Sequence, residues 1–124
     1  VRGIVVNQRF RRLHLLHGAG WSALSGTAIA TYRVHYADGT HQDIRIRFGN
    51  HLREWWSPST ASALATSAAV AWEGGNPASR AVGMKVRLYQ MTWMNPSPET
   101  VVTTVDLISA MENPAPFVLA ITTE

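Results

Sequence analysis

The feature that most constrains this chain is a pair of alternating segments joined by a tight turn. From Ile29 to Tyr36, Ala30, Tyr32, Val34 and Tyr36 share one side while Thr31, Arg33 and His35 take the other. That is the period-two spacing of a strand with one buried face. Asp38-Gly39 follows, and glycine tolerates the positive φ that short hairpin turns require. Ile44, Ile46 and Phe48 then alternate with Arg45 and Arg47. The pattern predicts a β-hairpin with an apolar face inward and a basic face outward, and such a face must be covered by a further layer.

The rest of the chain supplies short segments of the same kind. Leu13 to His17 predicts a strand, and Ala68 to Trp72 predicts another that ends in the loop Gly74-Gly75-Asn76-Pro77. Lys85 to Trp93 alternates, with Tyr89, Met91 and Trp93 on one face and Val86 and Leu88 on the other, until Asn95-Pro96-Ser97-Pro98 stops it. Val101 to Ile108 is β-branched and alternating. Asn113-Pro114-Ala115-Pro116 turns the chain into the continuous apolar run Phe117 to Ile121, which predicts a strand buried on both faces or central in its sheet. Ser57-Pro58 predicts a helix start, with serine as cap and proline at the first helical position. The Ala/Ser/Thr-rich stretch from Ser59 to Ala69 is expected to be a connection inside one domain. Short strands, turn chemistry and at most one short helix predict an all-β antiparallel β-sandwich of jelly-roll type, one domain over residues 1–124.

Composition narrows the chemistry. Hydrophobic residues make up 46% and charged residues 15%, enough for a core and unlike a disordered chain. Cysteine is absent, which excludes disulfides, a thiol nucleophile and thiolate zinc sites. No apolar run approaches the roughly 20 residues of a membrane span, and Val1 does not open a signal pattern. Secretion is expected through a signal outside this segment. The net charge is +3, carried almost wholly by arginine, with Lys85 the one lysine. Arg9, Arg11 and Arg12 cluster, whereas Arg33, Arg45, Arg47 and Arg87 stand singly in alternating stretches, as a solvated face does and a nucleic-acid patch does not.

No phosphate loop, nucleophile elbow or zinc-binding helix motif occurs. His14 and His17 fall on opposite faces of one strand, poor geometry for a shared metal. His35 and His41 flank the Asp38-Gly39 turn and are expected to be exposed. A glycosidase needs two facing carboxylates, and Glu54 with Glu73, each beside tryptophan, is the one pair that could serve. Tryptophan itself is prominent: Trp21, Trp55, Trp56, Trp72 and Trp93. Trp72, at the end of an apolar strand, is expected between the sheets. Trp55 and Trp56 are adjacent and must diverge, so at least one is expected near the surface beside His51, Arg53 and Glu54. An exposed indole among polar groups suits sugar recognition, its π face meeting the C–H face of a pyranose. Anchoring of the loop is the other reading of the pair.

The segments Leu13-His14-Leu15-Leu16-His17, Tyr32 through Thr40, Phe48-Gly49-Asn50 through Trp55-Trp56, Ala71-Trp72-Glu73-Gly74-Gly75-Asn76-Pro77 and Ala115-Pro116-Phe117 resemble the galactose-binding-like β-sandwich modules appended to bacterial glycoside hydrolases and surface proteins. The resemblance implies a non-catalytic carbohydrate-binding module that requires no cofactor, with a structural calcium frequent in that fold. Its partners are expected to be a polysaccharide or oligosaccharide and a parent glycoside hydrolase or surface protein in cis. Flat aromatic surfaces favour β-glucans such as cellulose, mixed-linkage glucan or xyloglucan. The expected contacts are Trp55 and Trp56 as the stacking platform, with His51, Arg53, Glu54, Asn76, Trp93 and Asn95 around it. The alternatives from other classes are a structural or protein-interaction domain and a small hydrolase using Glu54 and Glu73.

Overall fold

A computed structural model describes all 124 residues. In chain order it contains β1 (Ile4–Gln8), β2 (Arg12–Gly20), β3 (Ala28–Tyr36), β4 (His41–Arg47), β5 (Trp56–Pro58), β6 (Ala69–Gly74), α1 (Pro77–Ala81), β7 (Met84–Met94), β8 (Val102–Ser109) and β9 (Ala115–Thr123). These form a β-sandwich of two antiparallel sheets. The first has the order β1-β8-β3-β4, and the second has β9 beside β2 and β2 beside β7. Tyr89 on β7 pairs with both His17 and Val70, so β2 and β6 flank β7 on opposite sides. Val86 pairs with both Trp56 and Gly74, so β5 continues along the side of β7 that β2 has left.

The predicted hairpin is present: Tyr32 faces Ile44 and Thr31 faces Arg45 across β3 and β4. At its turn Gly39 has φ of 87° and the Asp38 carboxylate accepts from the Thr40 amide and hydroxyl. Alternation then builds the core. Leu13, Leu15, His17 and Ala19 of β2 and Tyr89 and Met91 of β7 point inward. They meet Ala30, Tyr32, Val34 and Tyr36 of β3, Ile44 and Ile46 of β4, and Val102, Val105 and Leu107 of β8, all buried. Each large side chain fully buried here contributes about 1.5–3 kcal/mol.

One polar contact joins the sheets inside this core. The His17 ring donates from Nε2 to the His51 carbonyl (3.0 Å) and accepts at Nδ1 from the Tyr32 hydroxyl (3.2 Å). A carbonyl can only accept, so this arrangement fixes the neutral tautomer. Burial lowers the His17 pKa to about 4, opposed by the bond to His51, and burial raises that of Tyr32.

Several expectations are corrected. Ser57-Pro58 starts no helix; it belongs to β5, where Ser57 faces Lys85 and Pro58 faces Met84. The helix forms later, where Asn76 caps it with Pro77 at its start: the Asn76 side chain accepts from Ser79 N and Ser79 Oγ accepts from Asn76 N. The apolar β9 is an edge strand paired with β2 alone, and much of it is exposed. It also bulges, because Ala120 faces Leu16 and Val118 faces His17, leaving Leu119 without a partner. Trp72 is not between the sheets but 51% exposed on the outside of the second sheet. Arg87 is not solvent-facing: it lies on the core side of β7, two residues before Tyr89, and is buried. There it donates to Glu73 (2.7 Å) and to Ser57 Oγ (2.8 Å). His41 is exposed as expected, whereas His35 is half-buried and bonded to Asp106 (2.9 Å). Strand β1, with only partly buried side chains, carries too weak an alternation to be read from sequence.

Candidate functional site: an aromatic groove at one end of the sandwich

Three loops meet where β2 ends and β9 begins. Asn113 Nδ2 donates to the Ser22 carbonyl (3.1 Å), and Ser22 Oγ donates to Glu54 Oε2 (2.5 Å). These bonds tie the segments after β2, before β5 and before β9 together. Between them lies a groove of about 680 Å³ whose walls include Trp21, Trp55, Trp56, Pro116, Phe117 and Leu119, with Glu54 at its rim.

Trp55 is held at both backbone ends. Its amide donates to the Ala19 carbonyl and its carbonyl accepts from the Arg87 amide, each at 2.8 Å. It thus sits where β2 and β7 separate, between the two. Its ring meets Phe117 edge to face, centroids 5.8 Å apart at 85°, and lies 6.2 Å from Trp56. Both separations fall within the range of favourable aromatic pairs. Phe117 in turn lies over Gly18, where a Cβ would come within 2.7 Å of Phe117 Cζ. The absence of a side chain at Gly18 is therefore what lets the tip of the ring approach the strand.

Trp21 closes the groove from the third side. It has φ of 62°, is 63% exposed, and follows directly on β2. A left-handed conformation is costly for so large a residue, and here it turns the indole out of the strand path toward the loop cluster.

The residues expected around the tryptophans separate into two groups. Glu54, Trp55 and Trp56 line the groove. His51, Arg53, Asn76, Trp93 and Asn95 are engaged elsewhere. His51 Nδ1 accepts from the Arg47 amide (2.9 Å), its carbonyl holds His17, and burial, then the Arg47 charge, lowers its pKa. Arg53 Nε donates to the Leu64 carbonyl (2.5 Å), pinning the loop between β5 and β6. Asn76 caps α1. Trp93 packs half-buried against the core, facing Leu13. Asn95 is buried at the opposite end, where Oδ1 accepts from Tyr36 Oη (2.6 Å) and Ser97 N, and Nδ2 donates to the Phe10 carbonyl.

Sequence reasoning missed Trp21, Pro116, Phe117 and Leu119 as groove residues. Trp21 had a local signal in its position just beyond Gly18-Ala19-Gly20. Phe117 and Leu119 were hidden in the run expected to be a buried strand, and Pro116 in the turn before it.

The two carboxylates considered as a catalytic pair do not share a site. Glu54 lines the aromatic groove, whereas Glu73 lies in a separate groove beside Arg80 and Lys85. Hydrogen bonds from Lys85 (2.6 Å) and Arg87 (2.7 Å) hold the Glu73 carboxyl below the usual range, the reverse of what a general acid needs. The aspartates lie apart, each engaged locally: Asp38 binds Thr40, Asp43 binds Arg33, and Asp106 binds Gly3 N and His35. No three His, Asp or Glu side chains converge to hold a metal. No helix is long and apolar enough to cross a membrane.

Comparison with protein-family models, with curated proteins and with solved structures gives no match to this chain.

Proposed function

We propose that this β-sandwich is a non-catalytic carbohydrate-binding module whose binding site is the groove of Trp21, Trp55 and Trp56. The observation that carries the reading is the convergence of these three indoles with Phe117 on one groove, bordered by the carboxylate of Glu54. Indole faces match the C–H faces of pyranose rings, and a rim carboxylate accepts from sugar hydroxyls. Chains with equatorial hydroxyls present the flattest faces, so a β-glucan such as cellulose, mixed-linkage glucan or xyloglucan is the favoured ligand. In this reading the module is secreted, needs no cofactor, breaks no bond, and holds a parent glycoside hydrolase or surface protein on its polysaccharide.

Affinity electrophoresis through gels containing mixed-linkage glucan, xyloglucan, xylan, mannan or galactan tests it, run with calcium and with a chelator. Retardation in one class of gel is expected, unaffected by the chelator and lost in Trp55→Ala and Trp56→Ala variants that keep their melting temperature. Full retardation of both folded variants would remove the platform. A second reading, a protein-interaction domain, is favoured by the low number of polar side chains in the groove. Unchanged mobility in every gel, together with tryptophans that acrylamide cannot quench in the full-length parent, would select it.

A further inference from the structure

The groove is the end of a larger surface. Antiparallel register places residues in rows across the outer face of the second sheet. Gly74, Val86 and Trp56 form the first row. Trp72 beside Leu88, and Gly18 beside Phe117, form the second, one residue beyond the Tyr89–His17 pair. Ala69, Gln90, Leu16 and Ala120 form the third, and Thr92, His14 and Thr122 the fourth. The next row is closed by the Arg12–Glu124 ion pair (2.9 Å).

Two properties of these rows point the same way. The first three contain no ionisable side chain. In the fourth, His14 is bonded to Thr92 (2.8 Å) and Glu124 (2.9 Å). The third and fourth rows, with Ala71, also hold a second, smaller depression of about 320 Å³, lined by His14, Leu16, Ala71, Gln90, Ala120 and Thr122. Rows lie about 6.6 Å apart along the strands, so the face runs roughly 20 Å from Trp56 to Thr122. Small residues at Ala69 and Ala120 keep its middle low.

We infer that this face is a single ligand track, and that its occupant is a neutral polysaccharide bound along its interior. The chain lies parallel to the strands, from the indoles over Phe117 and Leu16 to the polar groups of Gln90 and Thr122. A charged polymer or an acidic peptide finds no countercharge in the first three rows, whereas a neutral chain finds apolar bed and hydrogen-bonding end in succession. This inference rests on the carbohydrate reading and adds to it the length, charge and position of the ligand.

The test uses Leu16→Arg and Ala120→Arg, which stand in the middle of the track and away from the tryptophans. Ala120 is exposed on an edge strand, so its variant folds even where Leu16→Arg is impaired. Wild type, both variants and Trp55→Ala are titrated with cello-oligosaccharides of increasing length and run in gels containing mixed-linkage glucan. Wild-type affinity is expected to climb with each added sugar over several sugars. The arginine variants are expected to bind the polymer at least about tenfold more weakly while retaining wild-type affinity for the shortest ligand. Full polymer affinity in folded Ala120→Arg, or affinity that is already maximal for a disaccharide, overturns the track and leaves the groove alone as the site. No retention of the wild type overturns the carbohydrate reading and the track with it. A wild-type dimer that Leu16→Arg disperses in sedimentation, without any glycan binding, would give the face to a second copy of the chain.

Discussion

The two outer faces of the sandwich are built to opposite rules. On the first sheet, the outward positions of β3, β4 and β8 carry cross-strand polar pairs: Arg33 grips Asp43 with two hydrogen bonds (2.7 and 2.8 Å), and His35 is hydrogen-bonded to Asp106 (2.9 Å). On the second sheet, the same outward positions carry Trp56, Trp72, Leu88, Leu16, Phe117 and Ala120. Both faces belong to sheets whose inner sides fill one core, so burial in the fold does not account for the difference. The first face is thus charged and largely paired across its strands, whereas the second is uncharged with indoles at one end. The comparison teaches that what a sandwich displays is set by its outward alternate positions, independently of the inward ones that fold it.

The sharpest perturbation acts on the shared core and should leave the contrast intact. His17 is neutral in the folded chain, with a pKa near 4 against 6.5 when unfolded. Between those values the unfolded chain binds more protons, so stability is complete above pH 6.5 and falls as pH drops toward 4, by about 3 kcal/mol in all. Asp43 and Asp106 have pKa values lowered by Arg33 and by the Gly3 amide with His35 respectively. Their contribution is present above about pH 3.8 and is lost below it. Denaturant midpoints measured from pH 7.5 to 3 should therefore fall first in the histidine window, where the lowered pKa of His51 adds to that of His17, and His17→Gln should shrink the fall in that window while leaving the fall below pH 3.8 unchanged.

Gly18→Val tests how the apolar face is held. Any side chain there displaces Phe117 and with it the edge of the Trp55 ring. Overpacking of this kind costs about 1–3 kcal/mol, and glycan retention should fall in protein that remains folded by circular dichroism. Trp55→Ala should weaken glycan binding by about 10- to 100-fold, the scale of one well-packed aromatic contact, with little change in Arg33→Ala measured alongside it. Smallest of all, Arg33→Ala should leave glycan binding unaltered and move the melting temperature only slightly, because exposed pairs contribute little. A binding defect in Arg33→Ala would break the contrast between the faces.

Much of the fold was legible because period two is a local property. The inward set Ala30, Tyr32, Val34 and Tyr36, the Asp38-Gly39 turn and the facing of Tyr89 and Met91 all follow from spacing alone. What alternation leaves open is which face is covered and which strand lies at an edge, since both depend on strand order. Trp72 and the run Phe117 to Ile121 were misplaced for that reason. Arg87 carried a usable signal, two residues before Tyr89 on the same face, outweighed by the general habit of arginine to face water. At the site, the adjacency of Trp55 and Trp56 was enough to place an indole near the surface. The participation of Phe117 was not readable, because the groove is created by loops distant in sequence and joined through Asn113, Ser22 and Glu54.

An exposed, uncharged edge strand invites further strands to add to it. Strand β9 carries two interruptions against this: the unpartnered Leu119 bends its backbone, and Pro116 offers no amide proton. At high local concentration copies could meet edge to edge, and these interruptions oppose their growth into fibrils. The apolar character that suits β9 to its neighbours in the groove is thereby kept from becoming a route to aggregation.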